Sequence, residues 1–171
     1  GLFFGIIAAL KQHQFTDHLI AVLSVFGYSL PSYVAAMLLA LVFGFALSDW
    51  TGLNIQGSLL ALDDFGEWQL QWQNLVLPVL ALGLRPVALV TQLTRSAMLD
   101  VLSQDYVRTA VAKGLSHHTV ILRHALRNAL LPGITTRGLS IPGLIGGSVI
   151  SEAVFAIPGM GQLFYMAVMA R

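Results

Sequence analysis

From Leu19 to Ser48 the chain runs for 30 residues without a charge. About 20 predominantly apolar residues suffice to carry a helix across the hydrocarbon core of a bilayer, so this run is more than long enough to span one. The rest of the composition agrees. Of 171 residues, 56% are hydrophobic and 10% charged, with mean hydropathy +0.77, which describes a membrane protein rather than a soluble domain. A net charge of +1 gives no reason to expect a nucleic-acid partner. Without cysteine there is no disulfide, thiolate metal site or catalytic thiol, and the redox compartment stays open. The expected fold is all-α, a polytopic helical membrane protein with about four spans. The chain opens inside an apolar run at Gly1, shows no basic leader, and stops at Arg171 without an end signal. It reads as one transmembrane domain over residues 1–171, truncated at both ends.

In chain order, Gly1 to Leu10 is too short to span and is expected to be the inner half of a truncated helix. Lys11 marks its cytoplasmic exit, and Lys11 to His18 forms a polar connector. Leu19 to Leu47 is the first complete span, interrupted at Ser29-Leu30-Pro31-Ser32, where the proline removes a backbone donor and kinks the helix. Pro31 can serve the kink alone or a substrate contact as well. Ser48 to Gln73 is acidic (Asp49, Asp63, Asp64, Glu67), carries no Lys or Arg, and is flanked by Trp50, Trp68 and Trp72, as expected of an outer loop at the membrane–water interface. The Asp63/Asp64 pair has no histidine beside it and makes a poor metal site.

Asn74 to Thr94 is the next span and contains Arg85 followed by Pro86. An arginine near mid-membrane costs at least a few kcal/mol unless it faces protein or water. Arg85 either lines a polar path through the membrane or pairs with a carboxylate or carbonyl of a partner span. Pro132 to Ser151 is the last clear span, with Arg137 about one turn inside its cytoplasmic end and Gly138, Gly143, Gly146 and Gly147 along it. Gly143 and Gly147 are spaced for close approach of another helix, in this subunit or a neighbour. Ala153 to Ala170 is uncharged for 18 residues, but Pro158-Gly159-Met160-Gly161 would break a span there. A re-entrant segment on the outer side fits better. Lys11, Arg95, Arg108, Lys113, Arg123 and Arg127 then all fall on one face of the membrane and the acidic loop on the other.

Between the last two clear spans lies Asp105 to Pro132, which reads as helix, break, helix. Tyr106 to Lys113 permits a helix, Gly114 ends it, and Ser116 is a plausible N-cap for a second helix with Val120, Ile121, Ala125 and Leu126 at helical spacing. A short amphipathic helix, basic on one face and held between spans, suits docking into a groove on a soluble partner, or forms an ordinary cytoplasmic loop.

This stretch resembles the cytoplasmic "EAA" loop of ABC-importer permeases: Glu-Ala-Ala, three residues, Gly, then Leu-Pro about a dozen residues on. Ala110, Gly114 and Leu126 stand at the matching positions, whereas Arg108 and Thr109 replace Glu and the first Ala, and Arg127 stands where Pro would be. Those departures are the wording of the dipeptide/oligopeptide/nickel branch, YVRTA-x-AKG then LRHALRNALLP, matched from Tyr106 to Gly114 and from Leu122 to Pro132. A second match is Glu-x-Val-Phe-x-x-Pro-Gly-Met-Gly-x-Leu, from Glu152 to Leu163. The resemblance implies a type I (MetI-like) permease fold and a subunit of an ATP-driven importer of peptides or a nickel chelate. It implies a prokaryotic cytoplasmic membrane, a second homologous permease, two ATP-binding subunits and an extracytoplasmic substrate-binding protein. It implies no cofactor on this chain, with ATP and Mg held by the partner ATPases. The coupling loop would be residues 105–131, with Ala110, Lys113, Gly114, Leu115, Val120, Arg123, His124 and Leu126 as the ATPase contact. Arg85, Pro31 and Glu152 are the candidates for the translocation path.

No Gly-x-x-x-x-Gly-Lys-Ser/Thr, His-Glu-x-x-His or Gly-x-Ser-x-Gly occurs, so nothing supports a P-loop ATPase or a membrane hydrolase. His117, His118 and His124 fit solvated loop residues better than a metal cluster, since adjacent helical positions point apart. The alternatives are a non-ABC secondary carrier or a structural membrane subunit. A carrier would need an ion-coupling carboxylate within a span, and only Glu152, at an edge, comes near one.

Overall fold

The structure, a computed structural model, describes residues 1–62, 67–130 and 149–170. In chain order the elements are α1 (Leu2–Leu10), α2 (Phe15–Ser29), α3 (Ser32–Leu39) running into a π-helical stretch (Ala40–Ala46), and the short α4 (Ser48–Thr51). A hairpin of β1 (Leu60–Leu62) and β2 (Trp68–Leu70) follows, then the long α5 (Gln73–Leu102), α6 (Asp105–Ala112), and α7 (His117–Thr119) continuing as π-helix over Val120–Leu126. Helix α8 is described over 149–155, and α9 is Met160–Met169. The chain divides into two compact units, Gly1–Ser29 with Pro86–Ile141, and Leu30–Arg85 with Pro142–Arg171.

In the first unit, α1 lies against α5 through small residues. A Cβ on Gly5 would fall 2.6 Å from Thr94 Cβ and 2.7 Å from the Thr91 carbonyl, and one on Gly1 would fall 2.8 Å from Val90. Gly1 and Gly5 are thus a Gly-x-x-x-Gly pair in use as a contact face, with Ala8 and Ala9 buried on the next turn. In the second unit, Ala36, Ala40, Leu77, Ala81 and Phe155 form the core. Gly44 brings the π-helical stretch against Ile55 and Leu77, and the Asn74 amide holds the loop before the hairpin through Asn54 and the Ser58 carbonyl, both at 2.8 Å.

Three features depart from expectation. Pro31 does not kink one helix but separates two. It stands at the N-cap of α3 with φ −56° and ψ 142°, where its missing N–H breaks no bond. Helix α5 extends beyond the expected span Asn74–Thr94, a 30-residue helix that continues through Pro86 and past Arg95 to Leu102. The predominantly helical chain also contains an antiparallel hairpin pairing Leu60 with Leu70 and Leu62 with Trp68. The alternation Trp68-Gln69-Leu70-Gln71-Trp72 has the two-residue period of a strand. Among the described residues, α5 is long and apolar enough to cross a membrane, and α2 with α3 and its π-helical extension makes a second if the broken pair counts as one span. The expected span Pro132–Ser151, with Arg137 and its glycines, lies almost wholly outside the described residues, as do Asp63 and Asp64.

Candidate functional site: the 105–126 segment

The segment between α5 and the last expected span is built as helix, glycine cap, helix. Gln104 starts α6 in extended geometry. Its end is a Schellman cap. Gly114, at φ +79°, donates its N–H to the Val111 carbonyl at 2.9 Å, and Leu115 donates to the Ala110 carbonyl at 3.3 Å. Ser116 then caps α7, its Oγ accepting the Thr119 N–H at 3.4 Å and lying 2.8 Å from Thr119 Oγ1. The chain thereby reverses with the Gly114, Leu115 and Thr119 amides paired.

Apolar side chains seat both arms on the C-terminal end of α5. Val107, Ala110 and Val120 are buried together with Val101 and Leu102 beside them. Ile121, Ala125 and Ala129 join Met98 and Ala9 in a second cluster. Asn128 ties the arms by donating to the Tyr106 hydroxyl at 2.9 Å. Between the arms and α5 lies an apolar cleft of about 420 Å³, lined by Leu102, Val107, Val111 and Val120 among others, with Arg108 at its edge.

The expected contact residues therefore divide. Ala110 and Val120 are buried in the chain's own core. Lys113, Gly114, Leu115 and Arg123 are exposed, while His124 and Leu126 are half-buried. The exposed Arg108–Asp105 pair, at 3.7 Å, contributes little. The three path candidates occupy different elements. Arg85 is exposed midway along α5, Pro31 is exposed before α3, and Glu152 has a local packing role, its carboxyl group lying where a Cβ on Gly159 would fall.

Sequence reasoning missed one polar constellation. Asp17, on the first turn of α2, is 3% exposed and accepts from Arg95 of α5 twice, Nε to Oδ1 at 2.6 Å and Nη2 to Oδ2 at 2.8 Å. The His13 N–H also donates to Oδ2, at 3.0 Å. The available signal was that Asp17 is the only acid before Asp49, set beside a basic and histidine-rich turn.

With this geometry in view, comparison with known proteins gives the class. The chain belongs to the binding-protein-dependent transport system inner membrane component family, whose model matches residues 1–171. It is 40% identical to the dipeptide transport system permease protein of Bacillus subtilis, over the whole of this chain and 51% of that protein. It is 39% identical to the di/tripeptide transport system permease protein of Pseudomonas aeruginosa, over the whole chain and 55% of that protein. Identity to the glutathione transport system permease protein of Escherichia coli is also 39%, over the whole chain and 51% of that protein. The chain spans about half the length of these relatives.

Proposed function

We propose that the chain is part of the permease subunit of an ATP-driven importer that carries short peptides across the cytoplasmic membrane. Family membership and the peptide and glutathione permeases among its relatives support this reading. The observation that carries the mechanism is the two-faced 105–126 segment. Val107, Ala110, Val120, Ile121 and Ala125 on its apolar side pack with α5 and α1, and the other side presents Lys113, Leu115 and Arg123 to solvent. A rigidly seated helix pair with a basic outer face is suited to a groove on a soluble partner. The partners are two ATP-binding subunits that hold ATP and Mg, a second homologous permease, and a substrate-binding protein on the far side. Closure of the ATPases displaces the segment, and the spans alternate between outward and inward access. Arg85, half-way along α5, is the candidate to meet a peptide carboxylate on the path.

The test is reconstitution of the full-length protein with its partners in proteoliposomes. Leu115→Asp and Arg123→Glu are expected to leave membrane insertion intact and to abolish ATP-driven dipeptide uptake. Arg85→Ala is expected to lower uptake while the ATPase subunits stay bound. Unchanged uptake in both segment variants would overturn the coupling role.

A further inference from the structure

The transport reading makes no use of the groups that meet at Asp17. A buried carboxylate is tolerated only when its charge is paired and its lone pairs are filled. Here the Arg95 fork supplies two donors and His13 a third, and His13 adopts φ +63° in the turn that delivers its N–H. A left-handed conformation is uncommon for a residue with a side chain. A pair of this kind, with Asp17 buried and Arg95 partly exposed, is weak evidence for stability, but the planar guanidinium fork fixes direction as well as distance.

What that direction fixes is visible in the neighbouring packing. Arg95 lies on α5 three residues before Met98, which is fully buried and anchors Ile121 and Ala125 of the 105–126 segment together with Ala9 of α1. On one turn of α5, then, an ion pair fastens the α1–α2 turn, and on the next an apolar cluster fastens the segment. We propose that Asp17 and Arg95 are positioning residues for transport. They lock the α1–α2 turn to α5, so that displacement of the 105–126 segment moves α1, α2 and the C-terminal half of α5 as one lever. The proposal rests on the permease reading above.

The test uses the complete transporter in proteoliposomes, with ATP hydrolysis and dipeptide uptake measured on the same vesicles. Asp17→Asn and Arg95→Gln are expected to keep the partners and the ATPase activity, yet to lower peptide moved per ATP by roughly 2- to 30-fold. The double variant should lose no more than either single one, because both remove the same link. Equal uptake per ATP in parent and single variants would overturn the lever while leaving the permease reading in place. Absence of ATP-driven uptake in the parent itself would overturn both. Should the variants fail to assemble, spin labels at the exposed Gln14 and His118 of the otherwise unmutated transporter decide the matter. Their separation is expected to stay constant between nucleotide-free and ATP-bound states, and a change between those states would overturn the proposal.

Discussion

Gly5, Gly159 and Gly114 are three glycines required for different reasons, and each makes a separate prediction. At Gly5 the limit is space: the Thr91 carbonyl and Thr94 side chain leave no room for a Cβ. Gly5→Leu should push α1 off α5 and lower the thermal midpoint of the detergent-purified protein, whereas Phe3→Leu, at a position 69% exposed, should leave it nearly unchanged. At Gly159 the obstacle is a single side chain, the carboxyl group of Glu152. Gly159→Ala should therefore destabilise the parent by more than it destabilises the Glu152→Ala variant, a non-additivity read from a double-mutant cycle on thermal unfolding. At Gly114 space is open, with nothing within 4 Å of a Cβ, but φ is +79°. Gly114→Ala should cost about 1–2 kcal/mol through backbone strain alone. Met98, fully buried where α1, α5 and the 105–126 segment meet, is the apolar counterpart; Met98→Ala should cost about 2–5 kcal/mol.

Among the elements, the best-read was the 105–126 segment. Its cap residues act locally: glycine ends a helix and serine starts one, whatever surrounds them, so Gly114 and Ser116 could be assigned from spacing. The apolar positions Val120, Ile121 and Ala125 were legible for the same reason, since helical periodicity names the buried face. What periodicity does not say is which surface that face meets. Ala110 and Val120 therefore stood among expected partner contacts, although they pack on α5. The reach of α5 beyond Thr94 is not legible from hydropathy, because the apolar run ends at Arg95 while the helix does not. The charge of Arg95 pairs with Asp17, 78 positions earlier in the chain. Such pairing is non-local and leaves only a faint mark in sequence. The hairpin escaped because its strands are three residues each, too short to compete with the helical signal around them. Its Trp-Gln-Leu-Gln-Trp alternation is nevertheless a local cue.

At the scale of the molecule, hydropathy and charge asymmetry pointed to a helical membrane protein without help from packing, and the motifs pointed to the family. A family match over the whole chain then confirmed the resemblance carried by Tyr106–Gly114 and Glu152–Leu163. Neither source of information describes how force enters the protein. On the proposed reading it enters through the exposed face of one segment, whose buried face packs against the chain itself. Because the chain has no cysteine, single cysteines can be introduced without background. The decisive measurement is site-specific cross-linking of the assembled full-length transporter from Leu115→Cys and Val120→Cys. Leu115 is 41% exposed and should give an adduct with the ATPase subunit, whereas Val120, 2% exposed, should give none. An adduct from Val120→Cys alone, or from neither position, would contradict the docking face assigned here and with it the route by which ATP hydrolysis would drive transport.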